Sequence, residues 1–91
     1  MKTITLEAGI KALWPDAENI KIRKNHTDFT GFFTAGGKTY YISHTPGYSV
    51  NLDAAGVMYR EAQNYHDYKG LQNTWDFSRR LAALGLKVKP L

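Results

Sequence analysis

The chain has 91 residues, no cysteine, 43% hydrophobic side chains and twelve Lys and Arg against eight Asp and Glu, a formal charge of +4. That length makes a single compact domain over residues 1–91 whose core is sufficient but small, and the missing thiols exclude a disulfide framework and a thiolate metal site. Met1 and Lys2 lead into a mixed segment and no stretch approaches the ~20 apolar residues of a membrane span, so a cytoplasmic chain without a membrane partner is expected.

Thr3 or Thr5 is placed to cap a short helix in which Leu6, Ile10 and Leu13 or Trp14 recur at helical spacing. Glu7 suits its first turn and Pro15 ends it. After the polar turn of residues 16–19, Ile20 and Ile22 alternate with Lys21 and Arg23, which predicts a strand with one apolar and one basic side.

Residues 28–44, DFTGFFTAGGKTYYISH, carry two aromatic and β-branched runs around Gly36 and Gly37, the pattern of a β-hairpin with a two-residue turn. That turn pairs Ala35 with Lys38, Phe33 with Tyr40, Phe32 with Tyr41, Gly31 with Ile42 and Phe29 with His44. Phe29, Phe33, Tyr40 and Ile42 then share a buried face, and Phe32 and Tyr41 lie on the other among Thr30, Thr34, Thr39 and Ser43. Ile20 and Ile22 complete a three-stranded antiparallel meander.

Thr45, Pro46, Gly47 and Tyr48 break the sheet, and Ser49 or Asn51 with Asp53 opens a helix expected over residues 52–66, with Ala55, Met58 or Tyr59, Ala62 and Tyr65 as its apolar stripe. Residues 67–72 form a connector. Asn73 or Thr74 starts a last helix in which Phe77, Leu81 and Leu84 recur, stopped at Gly85. Residues 86–91 alternate apolar with lysine and are a candidate fourth, edge strand, where Pro90 is tolerated. The expected fold is α+β in the order αβββαα: a small three-stranded antiparallel sheet with an N-terminal helix and two C-terminal helices.

The excess positive charge is C-terminal. Residues 69–91 hold Lys69, Arg79, Arg80, Lys87 and Lys89 against Asp76 alone. On the outer sheet face Lys21, Arg23 and Lys24 lie near Phe32 and Tyr41, the combination with which small sheets bind single-stranded nucleic acid by stacking and phosphate neutralisation. The segment NYHDYKG, residues 64–70, adds Tyr65, Tyr68 and Lys69, residue types favoured in recognition surfaces. His26, His44 and His66 with Asp28 and Asp67 show no spacing that fixes two metal ligands on one element. No nucleophile elbow, phosphate loop or paired carboxylates appear, so neither a catalytic residue, a metal, a cofactor nor a small-molecule ligand is expected.

Arg60 and His66, at R-x5-H spacing, resemble the Arg and His pair of the HEPN class of metal-independent ribonucleases. That resemblance implies an all-helical bundle in which His66 is acid or base and Arg60 stabilises phosphate charge. The residues themselves also fit a solvated Arg and a helix-terminal His favoured by the dipole. The order helix, three strands, two helices is similar to that of certain small phage-encoded anti-CRISPR inhibitors. This implies a non-catalytic phage or mobile-element inhibitor that blocks a host nucleic-acid-binding surface, and the basic charge directs it to an acidic patch, an RNA component or the nucleic acid.

Two binding readings follow. In one, a small non-catalytic protein holds nucleic acid or a nucleoprotein complex through Lys21, Arg23, Lys24, Phe32, Tyr41, Tyr65, Tyr68, Lys69, Arg79, Arg80, Lys87 and Lys89. In the other it binds a host protein, with Tyr48, Tyr59, Tyr65, Tyr68 and the basic residues as anchors.

Overall fold

A computed structural model describes residues 1–45 and 55–89. In chain order it contains β1 (Lys2–Ile4), α1 (Leu6–Leu13), β2 (Glu18–Lys24), β3 (Phe29–Ala35), β4 (Lys38–His44), β5 (Val57–Ala62), α2 (Phe77–Ala82) and β6 (Leu86–Val88). The strands form a four-stranded antiparallel sheet, ordered β2-β3-β4-β5, and a separate parallel pair of β1 with β6.

The hairpin of β3 and β4 has the register its glycine turn dictates, from Ala35 opposite Lys38 to Phe29 opposite His44. Gly36 (φ 59°) and Gly37 (φ 76°) take the left-handed backbone that other residues resist. β2 joins β3 with Lys21 opposite Phe32 and Arg23 opposite Thr30, and its register shifts between Glu18 and Lys21, where Asn19 also has positive φ (52°).

The inner face carries Phe33, Ile42, Val57 and Tyr59 against Leu6 and Ile10 of α1 and Phe77 and Leu81 of α2. Thr5 Oγ1 accepts the Ala8 amide at 3.1 Å to start α1, and the helix gives way at Trp14 before Pro15. The Trp14 ring closes the core, its centroid 5.0 Å from those of Phe33 and Tyr59. Gly9 lets the helices approach, since a Cβ there would lie 3.2 Å from the Phe77 ring and 3.3 Å from Leu81.

Three expectations are corrected. The helix placed over residues 52–66 is instead strand β5 from Val57, paired along β4 from Thr39–Ala62 to His44–Val57. Gly56 (φ 71°) turns the chain into it, and Val57, Met58 and Tyr59 have the shapes a ladder favours. Its proposed caps, Ser49, Asn51 and Asp53, together with Tyr48, lie outside the described residues.

The last helix begins at Phe77 rather than Asn73 or Thr74, because Thr74 bridges to Tyr59 through Tyr59 N–H to Thr74 O (3.0 Å) and Thr74 N–H to Tyr59 O (2.7 Å). Asp76, at its N-cap, spends its carboxylate on the Tyr59 hydroxyl at 2.6 Å. Phe77 and Leu81 are fully buried but Leu84 is 55% exposed, since the helix ends before it and Gly85 (φ 74°) turns the chain. β6 is a strand but does not extend the meander: it pairs with β1, and Pro90 and Leu91 lie outside the described residues.

The sheet thus has four strands and a single C-terminal helix among the described residues, and the order αβββαα does not hold. The similarity in element order to anti-CRISPR inhibitors falls with it. Among the described residues no helix is long and apolar enough to cross a membrane.

Gly31 sits where β2 leaves no room for a side chain. A Cβ there would strike the Lys21 carbonyl, with Ile22 Cα at 2.8 Å and Lys21 C at 2.9 Å, all backbone atoms of β2. Gly31→Ala is therefore expected to cost about 1–3 kcal/mol through forced strand separation. At about 4–8 °C per kcal/mol for a domain of this size, thermal melts followed by circular dichroism will show it. An unchanged midpoint would mean that the β2–β3 contact is looser than described.

Candidate nucleic-acid interface

Pleating sends Phe32 to the face opposite the helices, beside Tyr41 on β4 (ring centroids 5.3 Å) and Lys21 on β2. Phe32 is nevertheless only 5% exposed. Residues 63–70 fold back from β5 and cover it: Tyr65 stacks on its ring at 5.5 Å and 27°, while Tyr68 stands edge-on to Phe32 at 5.5 Å and to Tyr41 at 6.0 Å. Tyr65 and His66 therefore belong to a covering loop and not to a helix.

Polar turn chemistry fixes this loop. Asp67 accepts the Gln63 amide on Oδ2 (2.8 Å) and the Lys69 amide on Oδ1 (3.0 Å), and Asn64 Oδ1 accepts the His66 amide at 2.8 Å. The Tyr65 hydroxyl reaches across the face to donate to the Asn19 carbonyl at 2.7 Å, tying the loop to the irregular start of β2.

Beneath the loop lies Arg60, 5% exposed, with its guanidinium 4.4 Å above the Tyr41 ring centre and Nη2 donating to the Asp67 carbonyl at 3.1 Å. Gly70 is needed here, because a Cβ would collide with Arg60 Nη1 and come within 2.7 Å of the Glu61 carbonyl.

Between β2 and the loop the outer face opens into a cleft of about 300 Å³, walled by Lys21, Arg23, Phe32, Tyr65, His66 and Tyr68. Lys21, Arg23, His66 and Tyr68 are exposed, and Lys69 follows on the same loop. Tyr68, at 58%, is the one aromatic side chain among the described residues that is a largely exposed hydrophobic. Burial pushes the Tyr41 hydroxyl above its ordinary pKa, with Asp28 also raising it against the lowering effects of Ser43 and Arg60. Tyr41, behind Phe32 and Tyr68, is thus neutral at physiological pH.

Six residues expected at a binding surface therefore meet here: Lys21, Arg23, Phe32, Tyr41, Tyr65 and Tyr68, while Lys69 lines a separate cleft with Glu61, Gln63 and Leu71. The rest do not. Lys24 faces the other side of the sheet and lines, with Lys89, a second cleft near Thr5, Leu6 and Glu7. Arg80 lies over the Trp14 ring at 4.9 Å and donates to the Tyr59 hydroxyl at 3.0 Å, bound up in the core edge. Arg79 and Lys87 are exposed on α2 and β6. Sequence reasoning passed over His66 as part of this wall and Arg60 as its buried support; the Asn64 and Asp67 turn residues are the signal for the loop that brings them there.

The Arg60–His66 resemblance to HEPN ribonucleases loses its geometry. Arg60 is a buried strand residue held by Tyr41 and Asp67, His66 is an exposed loop residue, and neither lies on a helix. Glu61 points to the opposite face and pairs with Lys38 at 3.4 Å. Among the described residues no three His, Asp or Glu side chains gather to hold a metal ion. No family model, curated protein or solved structure matches this chain.

The two amides that donate to Asp67, Gln63 first and Lys69 second, hold its carboxyl below the usual range. Its contribution to loop order is therefore fully present above the unfolded-state value and lost as pH falls through the lower folded-state one. The ring-current shifts that Phe32 imposes on the Tyr65 and Tyr68 protons should fade as acid protonates Asp67, below the ordinary carboxylate range. In Asp67→Asn they should be reduced at neutral pH and show no acid step; persistence of that step would assign the titration to another group.

Proposed function

We propose that this protein is a non-catalytic nucleic-acid-binding protein whose contact surface is the cleft between β2 and the 63–70 loop. The observation that carries the reading is the largely exposed Tyr68 ring at the rim of a cleft walled by Lys21, Arg23 and His66. Leaving an aromatic ring in water forgoes burial, and a ring beside cations on a rigid sheet offers a base a stacking surface while the cations neutralise the adjoining phosphates. The buried Phe32 and half-buried Tyr41 beneath are its support rather than its platform.

The mode accounts for the distribution of roles. Cations contribute through counterion release and so set the salt dependence, whereas a stacking ring contributes a term that salt leaves nearly unchanged. Single strands suit the cleft better than duplex, since their bases are free to turn onto a ring.

Anisotropy titrations with random-sequence labelled oligonucleotides at several salt concentrations test this. Single strands should bind more tightly than duplex, and Lys21→Ala with Arg23→Ala should reduce the log–log salt slope by roughly 0.7 per cation removed. Tyr68→Ala should weaken binding by about 1–3 kcal/mol, roughly five- to 150-fold, with the slope unchanged. No binding at low salt, or binding indifferent to all three substitutions, would reject the proposal.

A further inference from the structure

The two edges of the four-stranded sheet are finished differently. At β5 the backbone is occupied: Tyr59 exchanges both its hydrogen bonds with Thr74, and the Leu71 amide donates to Glu61 O at 3.4 Å. At β2, among the described residues, β3 is the only strand neighbour. The ladder there can be followed residue by residue. The Asn25 amide donates to Asp28 O at 2.8 Å across the turn, so the hydrogen-bonded pairs step by two to Arg23–Thr30 and Lys21–Phe32. Ile22 and Lys24 fall between them, and their N–H and C=O groups face away from the sheet.

The side chains of β2 state what this edge accepts. Lys21 and Arg23 project from the outer face and are exposed, while Ile20 and Ile22 on the inner face are only half-buried, short of a neighbour on the open side. A strand laid along β2 would set alternate residues beside Lys21 and Arg23 and the intervening ones beside Ile20 and Ile22. A second copy of this chain is a poor occupant: antiparallel pairing of β2 with itself about Ile22 places Lys21 opposite Arg23, twice, and like charges directly opposite destabilise a pair.

We infer that the free edge of β2 is a docking site for an extended peptide segment of a partner protein in which acidic and apolar residues alternate, added as a fifth strand. Main-chain bonds to Ile22 and Lys24 supply the register, the acidic residues pair with Lys21 and Arg23, and the apolar ones extend the inner face past Ile20 and Ile22. The Tyr65 hydroxyl on the Asn19 carbonyl sets the upstream limit of the pairing. An oligonucleotide in the neighbouring cleft has no strand backbone to offer these amides, so this inference and the nucleic-acid reading fail separately.

Amide hydrogen exchange by NMR on the full chain tests it, using a short synthetic peptide of alternating Glu and Val and a control of the same composition with Glu and Val in two blocks. The alternating peptide should slow exchange of both the Ile22 and Lys24 amides by at least about tenfold, and the block peptide should not. Lys24→Pro removes one outward donor at an edge position where proline leaves the ladder to β3 intact, and should weaken binding of the alternating peptide by about tenfold, whereas Lys24→Ala should not. Equal binding of both peptides, no binding of the alternating one, or binding without slower exchange at both amides would overturn the inference. So would concentration-dependent protection of these amides in the protein alone, which would make a second copy the occupant.

Discussion

Phe32 and Phe33 are consecutive in a strand, and the pleat sends one ring to each side of the sheet. Each is worth about 1.5–3 kcal/mol when buried, so neither face is left bare without a cost comparable to a sizeable share of the stability of a small domain. Phe33 is covered by the helices and Trp14. Phe32 is covered by a loop. Much of the rest of the structure follows from that double demand, including the fourth strand, which carries the loop to the outer face, and the glycine at position 70, which lets it lie down.

The two covers are of different kinds. The inner one is apolar and continuous, from Leu6 to Leu81 and Val88. The outer one is thin and largely polar, held by Asp67, Asn64 and the Tyr65 hydroxyl, and it rests on a buried arginine. Arg60 Nη1 is buried with no hydrogen-bond partner among the described residues. Desolvating that group opposes burial, and the Tyr41 ring and the Asp67 carbonyl are the contacts that offset it. The cover is thus a pair of tyrosine rings on Phe32 and Tyr41, tied down by turn hydrogen bonds at the rim of the binding cleft.

What was legible in the chain was local. Gly36 and Gly37 between aromatic runs specified the hairpin and its register, and Thr5, Pro15 and Gly85 marked helix ends through chemistry confined to a few neighbours. β5 has the sequence pattern of a helix because it is buried on both faces. With Val57 and Tyr59 inside and Arg60 and Ala62 covered outside, no alternation survives, and Ala55, Tyr59 and Ala62 happen to fit a helical stripe. A buried arginine over a tyrosine looks polar until its partners are placed. The candidate site was half visible: Lys21, Arg23, Phe32 and Tyr41 follow from strand pairing. Tyr65 and Tyr68 joined them only through a loop whose course depends on contacts 46 residues apart. The cations of the C-terminal segment do not form one patch, because charge counts carry no direction and Arg80 turns inward to the core edge.

The pairing of β1 with β6 joins residues 2–4 to residues 86–88 in parallel, with Lys2 N–H on Gly85 O at 3.1 Å and Lys89 N–H on Ile4 O at 2.7 Å. Because the strands run the same way, tension carried through the chain on either side enters the pair at opposite ends. Its bonds are then loaded in shear and must yield together, where an antiparallel pair pulled from one end would unzip a bond at a time. This short clasp would therefore meet a pull on the two ends of the chain with its whole length at once.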